Sequence, residues 1–328
     1  LFSNVHDKSW TTEKMWSQLS QRCWFLALAT GLGLTACVDN LSETEASVDP
    51  QEPPFIIRST EEDWVILEKR IKEAFEQRLD LLPMGDLVAK IGLTFLGTPY
   101  APNTLDPAGE EGLVVEVQEL DCVTFVETVL ALSRVVHDFG VEGYRGTSSQ
   151  EIRRSYWEQL EALRYRDGHL DGYLSRLHYF SDWIKDNAKL GVVEEIFEGY
   201  PARIDTEPIT FMTAHPDSYW QLREDPTLVP AMKKIEEVLS QQSRAYIPEI
   251  NIYDVEQDIL TGDIVAATSS LAGLDIAHTG IAIRKEGRVH LLHAPLVGGV
   301  VQVSAKPLAE RILELERQDG VMIARPLD

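Results

Sequence analysis

The chain has 328 residues and carries 30 Lys and Arg against 53 Asp and Glu, which gives a formal net charge of -23 at pH 7. This balance argues against a nucleic-acid partner, because phosphate repels a protein of that sign. The length allows one large domain or two modest ones, and the 44% of hydrophobic residues can build a sizeable core. The three cysteines, Cys23, Cys37 and Cys122, are too few for a disulfide framework.

The N-terminal segment has the pattern of an export signal. Residues 1–14 precede the first Met, and Arg22 supplies a positive charge before an apolar run from Cys23 to Leu34. A run of this length is too short to span a bilayer permanently but fits the apolar region of a signal peptide. It ends in Leu34-Thr35-Ala36-Cys37, which resembles the bacterial lipobox. We therefore expect residues 1–37 to include a lipoprotein signal peptide, with a buried apolar helix as the alternative.

A lipobox implies that cleavage precedes the cysteine and that lipid is attached to its sulfur. We therefore expect a membrane anchor on Cys37 and a periplasmic location in a bacterial cell envelope. Residues 38–60 are acidic, contain several prolines and show no periodicity, which is typical of a disordered tether. The remaining residues, 61–328, form the predicted functional domain, with a helical part at about 61–245 and a sheet-rich part at about 246–328.

The first part of this domain is predicted to be helical. Apolar residues recur at helix spacing from Thr60 to Phe75, and a second helix fits Met84 to Leu96 before Gly97-Thr98-Pro99. An irregular acidic stretch at 103–112 then precedes a short predicted strand at 113–117.

Cys122 is the cysteine that lies in the body of the protein. Asp121 is a good helix N-cap, which places Cys122 in the first turn of a helix whose apolar face includes Val123, Val126 and Val136. The dipole and free N–H groups of a helix N-terminus stabilise a thiolate, the reactive form of cysteine. Taken alone, however, a cysteine in an apolar helix is more often a small buried hydrophobic residue.

The rest of the chain changes from helical to β-prone. Residues 148–187 are predicted to be helical and are rich in aromatic residues, and another helix fits Leu228 to Gln241. Four short β-prone runs follow, separated by turns that contain glycine, at 263–267, 278–283, 289–293 and 300–303. Helices followed by an antiparallel meander predict an α+β fold.

A cysteine nucleophile needs an imidazole base, and that imidazole needs an orienting partner. His278 is the best candidate for the base, because it opens a predicted strand. If the following hairpin turns through Glu286-Gly287 as a two-residue loop, His293 lies on the same face as His278, and His290 points to the other face. A three-residue loop would reverse this choice, so His290 remains the alternative. This separation of the histidines, and the lack of a zinc-like Cys/His spacing, give no reason to expect a metal.

Five motifs in this order resemble those of the NlpC-type cell-wall cysteine peptidases: Gly97-Thr98-Pro99-Tyr100, Asp121-Cys122, Gly262-Asp263-Ile264-Val265, His278-Thr279-Gly280-Ile281 and Leu292-His293-Ala294. Two longer motifs, from Leu120 to Glu127 and from Ser175 to Ile184, resemble the branch of that superfamily described as N-acetylmuramoyl-L-alanine amidase-like. The likeness extends from about Asp63 to the C-terminus.

The resemblance implies a papain-like α+β fold, in which the nucleophile helix packs on a small antiparallel sheet and a helical, aromatic-rich insertion is added. It implies Cys122 as nucleophile, His278 as base and His293 as the residue that orients the base. The implied reaction is hydrolysis of the amide between the lactyl group of muramic acid and L-alanine in peptidoglycan or its fragments, without a cofactor. The sequence departs from the superfamily in having Val-Thr after Asp-Cys and a longer hairpin between the two histidines.

The resemblance also implies substrate-binding residues. Tyr100 matches a tyrosine near the nucleophile, and Asp121 directly precedes the cysteine. A second group interleaves aromatic and charged side chains, a combination that suits a sugar, although an aromatic stripe at helical spacing is often core. This group consists of Ser175, Arg176, His178, Tyr179, Asp182 and Trp183.

Two other functions fit the same motifs. One is an endopeptidase that cuts the γ-D-glutamyl–diamino acid bond, and the other is a non-catalytic lipoprotein that binds peptidoglycan. Mass spectrometry of digested muropeptides separates the two enzymes, and reactivity of Cys122 toward a thiol probe separates an enzyme from a binder.

Overall fold

The computed structural model describes residues 53–197 and 199–328, which lie in one compact unit from Asp49 to Asp328. The predicted signal peptide, the lipobox with Cys37 and most of the predicted tether lie outside the described residues and stay predictions. Within the described ranges, no helix is long and apolar enough to cross a membrane.

Most of the α-helices lie in the first three quarters of the chain, where they alternate with loops and single 3₁₀ turns. In chain order they are α1 (Glu61–Glu76), α2 (Met84–Leu93), α3 (Cys122–Tyr144), α4 (Ser149–Arg164), α5 (Phe180–Lys189), α6 (Phe211–Ala214), α7 (Trp220–Glu224), α8 (Val229–Ser240), α9 (Ile252–Val255) and α10 (Leu308–Leu313).

The strands are concentrated in the last third. They are β1 (Ile57–Arg58), β2 (Leu113–Val114), β3 (Val193–Glu195), β4 (Arg203–Asp205), β5 (Arg244–Pro248), β6 (Ile264–Ser269), β7 (Ile276–Lys285), β8 (Arg288–His293), β9 (Gln302–Val303) and β10 (Gln318–Pro326).

The principal sheet has the strand order β4-β5-β10-β6-β7-β8-β9, and β3 pairs with β10. Its neighbouring strands are antiparallel, so the predicted α+β class and the meander β6 to β9 are confirmed. The C-terminal strand β10 lies between β5 and β6, near the middle of the sheet. Sequence analysis did not predict this strand, whose apolar run from Val321 to Ala324 is short and is followed by Arg325 and Pro326.

The helix starts follow local hydrogen bonding. Thr60 and Asp63 form a capping box at the start of α1, in which the Thr60 N–H donates to Asp63 Oδ2 at 2.8 Å.

The predicted end of the second helix at Leu96 is wrong, because α2 ends at Leu93. The N–H groups of the next three residues donate three residues back rather than four, so the chain tightens into a 3₁₀-type turn.

The long aromatic-rich helical region is not one helix. It breaks after α4, where Asp167 has a φ of 54° and Gly172 a φ of 69°, and it resumes only at α5. Such left-handed residues cannot continue an α-helix. The predicted strand at 113–117 is also shorter than expected, since β2 covers two residues.

Both faces of the sheet are covered. Ile264, Ile281 and Leu292 belong to the larger core, which helix α3 shares. The alternate residues along the strands, such as Leu291, pack into a second core with Leu308 of α10. The period of two along each strand therefore places α3 on one side of β7 and β8 and α10 on the other.

Candidate active site

The start of α3 is fixed by its N-cap. Asp121 Oδ1 accepts hydrogen bonds from the N–H groups of Val123 at 3.0 Å and Thr124 at 2.8 Å, and the Thr124 hydroxyl accepts from the Asp121 N–H at 2.9 Å. The prediction of Asp121 as N-cap is therefore confirmed, and Cys122 is the first residue of the helix. Its own N–H is one of the helix donors that have no partner within the helix.

The segment around Tyr100 lies against the residue that leads into this helix. The Leu120 N–H donates to Pro99 O at 2.9 Å, and the Tyr100 N–H donates to Gly299 O at 2.8 Å. Tyr100 is half-buried, and burial raises the pKa of its phenol, with further contributions from Cys122 and Asp121. Tyr100 therefore keeps its hydroxyl proton at neutral pH beside the cysteine.

The hairpin β7–β8 has the predicted register. Ile283 pairs with His290 and Lys285 with Arg288, so Glu286 and Gly287 form the two-residue turn. Their φ values of 53° and 80° are those of a turn whose two central residues are both left-handed. The two-residue loop predicted from the sequence is confirmed.

This register brings His278 and His293 together. His278 Nε2 and His293 Nδ1 are 2.7 Å apart, and the rings meet edge to face at 82°. His293 is buried, with 1% exposure. His290 instead places its Nδ1 2.8 Å from Ser304 O, so the histidine that pairs with His278 is His293.

Thr279 joins strand β7, which carries His278, to helix α3. Its hydroxyl donates to the carbonyl oxygen of Cys122 at 2.7 Å, and its side chain is buried. The sequence did not predict this contact, although Thr279 belongs to the motif His278-Thr279-Gly280-Ile281. The bond ties β7, at the residue next to His278, to the first residue of α3.

The ionisation of Cys122 differs from the sequence expectation. A helix N-terminus was expected to stabilise the thiolate, but burial, followed by the neighbouring carboxylate of Asp121, raises the pKa of Cys122 to about 11. Hydrogen bonds from Thr279 and from the Cys122 backbone oppose this rise without reversing it. The cysteine is therefore a neutral thiol at pH 7.

Both histidines are also neutral at pH 7. Burial, together with the positive charge of Arg311 on α10, lowers the pKa of His278 to about 3. Burial, then His278 and Arg311, lower that of His293 to about 2. A neutral imidazole bonded through one nitrogen keeps the other nitrogen for a second partner, which a general base requires.

The charged residues of the second predicted binding group have partners within the protein. Arg176 pairs with Asp106 at 2.5 Å and lies 3.5 Å from Glu111, and Asp182 pairs with Arg166 at 2.5 Å. The Arg176 contacts tie the loop at 103–112 to the segment before α5, and the Asp182 contact ties α5 to the turn after α4.

The uncharged members of that group have internal contacts as well. The Tyr179 hydroxyl donates to Glu236 at 2.7 Å, and the buried ring of Trp183 stacks on Phe180. Ser175 Oγ donates to the carbonyl oxygen of Gly172 and His178 Nε2 lies 2.9 Å from that of Tyr173. The role of the whole group in substrate binding stays a prediction.

A buried ion pair joins α3 to α4. Glu127 and Arg164 are 2% and 3% exposed, and Arg164 Nε donates to Glu127 Oε2 at 2.8 Å. Arg164 also donates to Val114 O at 2.6 Å, so one guanidinium connects α4, α3 and β2. Sequence reasoning did not detect this pair. Among residues 53–197 and 199–328, no group of His, Cys, Asp and Glu is placed to hold a metal ion.

An α+β fold that has a cysteine at a helix N-terminus, and a bonded histidine pair on the hairpin joined to that helix by Thr279, has the parts required for nucleophilic chemistry. Residues 90–318 match the model of the family described as AmiA-like, N-acetylmuramoyl-L-alanine amidase-like. No curated protein matches the chain.

Two similar solved structures carry different descriptions. An N-acetylmuramoyl-L-alanine amidase from Bacteroides uniformis ATCC 8492 is 33% identical over 75% of this chain and 99% of its own, with a TM-score of 0.66. A Bacteroides fragilis protein described as a candidate xylanase is 34% identical over 71% of this chain and 98% of its own, with a TM-score of 0.64. The chain belongs to the AmiA-like, N-acetylmuramoyl-L-alanine amidase-like family.

Proposed function

We propose that the protein is a cysteine-dependent N-acetylmuramoyl-L-alanine amidase with a papain-like core of the NlpC type. The observation that carries this proposal is the 2.7 Å contact between His278 Nε2 and His293 Nδ1, next to a strand residue that is bonded to Cys122. Family membership and the B. uniformis neighbour named as an amidase support the peptidoglycan-type substrate.

The proposed reaction begins with neutral groups. His278 donates its Nε2–H to His293 Nδ1, which leaves the lone pair of His278 Nδ1 to accept the thiol proton of Cys122. The sulfur attacks the lactyl carbonyl carbon as this proton moves, so no resting thiolate is needed. The N–H of Cys122 and the neutral hydroxyl of Tyr100 donate to the developing oxyanion.

The second half of the reaction reverses the proton transfer. The imidazolium of His278 protonates the departing amine of L-alanine, and the amide C–N bond breaks. Water then loses a proton to His278 and attacks the thioester, which releases the lactyl carboxylate and restores the Cys122 thiol. His293 keeps the His278 ring oriented throughout.

The site chemistry fits this reaction better than glycoside hydrolysis, which the name of the B. fragilis neighbour suggests for that protein. Glycosidases generally use two carboxyl groups on either side of the bond. Here the residue beside Cys122 is Asp121, whose Oδ1 already caps the helix. A cysteine with a histidine pair favours acyl transfer.

Location belongs to the same proposal. A lipid on Cys37 and the acidic segment after it would hold the amidase in the cell envelope, where peptidoglycan and its fragments occur. The substrate is then a disaccharide-peptide of the wall or one released from it.

The test is digestion of a purified disaccharide-tetrapeptide, followed by mass spectrometry. We expect free disaccharide and a peptide with an N-terminal L-alanine, and we expect Cys122→Ala and His278→Ala to abolish both products. His290→Asn is the matched control, because an amide nitrogen can keep the contact with Ser304 O while the His278–His293 pair is untouched.

Three outcomes would contradict the proposal. Cleavage between D-glutamate and the diamino acid would identify an endopeptidase. Full activity of Cys122→Ala would exclude cysteine catalysis. Binding of the muropeptide without any cleavage would identify a peptidoglycan-binding protein.

A further inference from the structure

The loop between β8 and β9, residues 294–300, presents two adjacent apolar side chains to solvent. We call it the rim loop. Leu296 is 56% exposed and Val297 is 86% exposed, the largest exposed fraction of a large hydrophobic residue within the described ranges. The preceding Ala294 and Pro295 are buried, so exposure begins abruptly at the tip.

Both ends of the rim loop are attached to the candidate active site. The loop starts directly after His293, and near its other end Gly299 O accepts a hydrogen bond from the Tyr100 N–H at 2.8 Å. Val301, just beyond, donates to Thr98 O at 2.8 Å. Since consecutive Cα atoms are about 3.8 Å apart, Val297 lies within about 8 Å of Gly299, whose carbonyl holds Tyr100.

The turn itself needs glycine. Gly298 and Gly299 have φ values of 113° and 69°, and a Cβ on Gly298 would lie 2.7 Å from Gln302 Nε2. These glycines allow the chain to reverse tightly, so that the two apolar residues occupy the tip while the return segment pairs with Thr98–Tyr100.

A single exposed apolar residue needs no explanation, but two neighbours on an anchored loop beside a reactive centre are a candidate contact for a ligand. The occupant that fits is the substrate. On the proposed function, the scissile amide has the lactyl methyl on one side and the L-alanyl methyl on the other, with the N-acetyl methyl close by. Together these methyl groups form an apolar patch on an otherwise polar molecule.

The geometry points to Leu296 and Val297 as specificity-determining residues, which cover the methyl groups around the scissile amide when the muropeptide binds. This inference rests on the proposed function. It places the apolar contact on the loop that leads from His293 to the carbonyl bonded to Tyr100.

The test compares the double variant Leu296→Ser/Val297→Ser, called the rim variant, with the double variant Val238→Ser/Ile250→Ser, called the control variant. The control residues are 58% and 63% exposed and lie on α8 and on the turn before α9, so the two variants lose similar exposed apolar surface. For the rim variant we expect KM for the disaccharide-tetrapeptide to rise about tenfold with little change in kcat, because partly burying two aliphatic side chains is worth about one decade of affinity. The control variant should keep the wild-type KM.

Two further measurements keep the outcomes separable. The rate at which iodoacetamide alkylates Cys122 should be the same in the rim variant and the wild type, which excludes a damaged site. Calorimetric binding of the same muropeptide to Cys122→Ala, with and without the rim substitutions, measures the contact without catalysis.

The results decide between the two proposals. Wild-type turnover with an unchanged KM in the rim variant overturns the inference about the loop and leaves the amidase proposal intact. If the wild type shows no turnover but the rim substitutions weaken muropeptide binding to Cys122→Ala, the inference about the loop is supported and the amidase proposal is overturned. If the rim variant loses binding to phosphatidylethanolamine–phosphatidylglycerol vesicles and keeps the wild-type KM, the tip binds a lipid surface. That result also overturns the inference.

Discussion

At the scale of single residues, the site combines a thiol and two imidazoles that are all uncharged at neutral pH. Burial is the first cause of each shift, and the carboxylate of Asp121 adds to that of Cys122. The helix N-terminus favours the thiolate, but its effect is worth about 0.3–1 kcal/mol, less than the desolvation of a buried charge. In the proposed mechanism, a thiol that is neutral at rest makes the proton transfer to His278 part of the chemical step.

The pH dependence of thiol alkylation follows from this state. Since the pKa of Cys122 is raised to about 11, the alkylation rate should rise about tenfold per pH unit from pH 7 to 9 without a plateau. Asp121→Asn should lower the apparent pKa and speed alkylation at pH 7, because asparagine still caps the helix but removes the charge. A rate that levels off by pH 8 would contradict the neutral thiol.

Thr279 gives a second prediction at this scale. Thr279→Val removes the hydroxyl that donates to Cys122 O but nearly keeps the volume, and we expect kcat to fall about two- to tenfold, as for loss of one net hydrogen bond. Thr279→Ser should restore most of the activity. If kcat is unchanged in the valine variant while KM rises, Thr279 contributes to substrate binding rather than to alignment.

At the scale of secondary-structure elements, the sequence could predict what local pattern determines. The start of α3 at Asp121 and the β7–β8 register follow from a capping residue and a two-residue turn, and both are confirmed. The Thr279–Cys122 bond could not be predicted, because it joins residues 157 positions apart. Hydrophobic periodicity and capping residues report on neighbours along the chain. A contact between residues far apart in sequence depends on how the helices and strands pack.

The buried pair Glu127–Arg164 belongs to this scale, because it joins α3, α4 and β2. Glu127→Ala leaves a buried guanidinium without its partner, and we expect the free energy of unfolding to fall by about 3 kcal/mol or more in urea titrations. Glu127→Leu combined with Arg164→Met should recover much of that loss.

The matched control is Glu61, a largely exposed residue that pairs with another arginine. Glu61 pairs with Arg153 on the surface, and Glu61→Ala should change the unfolding midpoint little. Equal effects of Glu127→Ala and Glu61→Ala would show that burial adds nothing to the Glu127 pair.

At the scale of the whole molecule, the proposed anchor and the folded unit occupy different parts of the chain. We expect Cys37→Ala to move the protein from the membrane fraction to the soluble periplasmic fraction and to abolish incorporation of radiolabelled palmitate, because the lipid would be attached to that sulfur. Palmitate incorporation that persists in Cys37→Ala would place the lipid elsewhere. Cys122→Ala serves as the control, since it should leave both fractionation and labelling unchanged.

The β7–β8 turn has a consequence for how relatives of this protein can change. Glu286 and Gly287 lie about 20 Å along the strand from His293, so they do not contact the site, although their positive φ values favour Gly, Asn or Asp. The number of residues along β8 between the turn and His293 is not free, because one more residue there would turn the pairing histidine to the other face of the sheet. An insertion or deletion within β8 should therefore coincide with loss of the proposed hydrolysis or with a compensating exchange at positions 290 and 293.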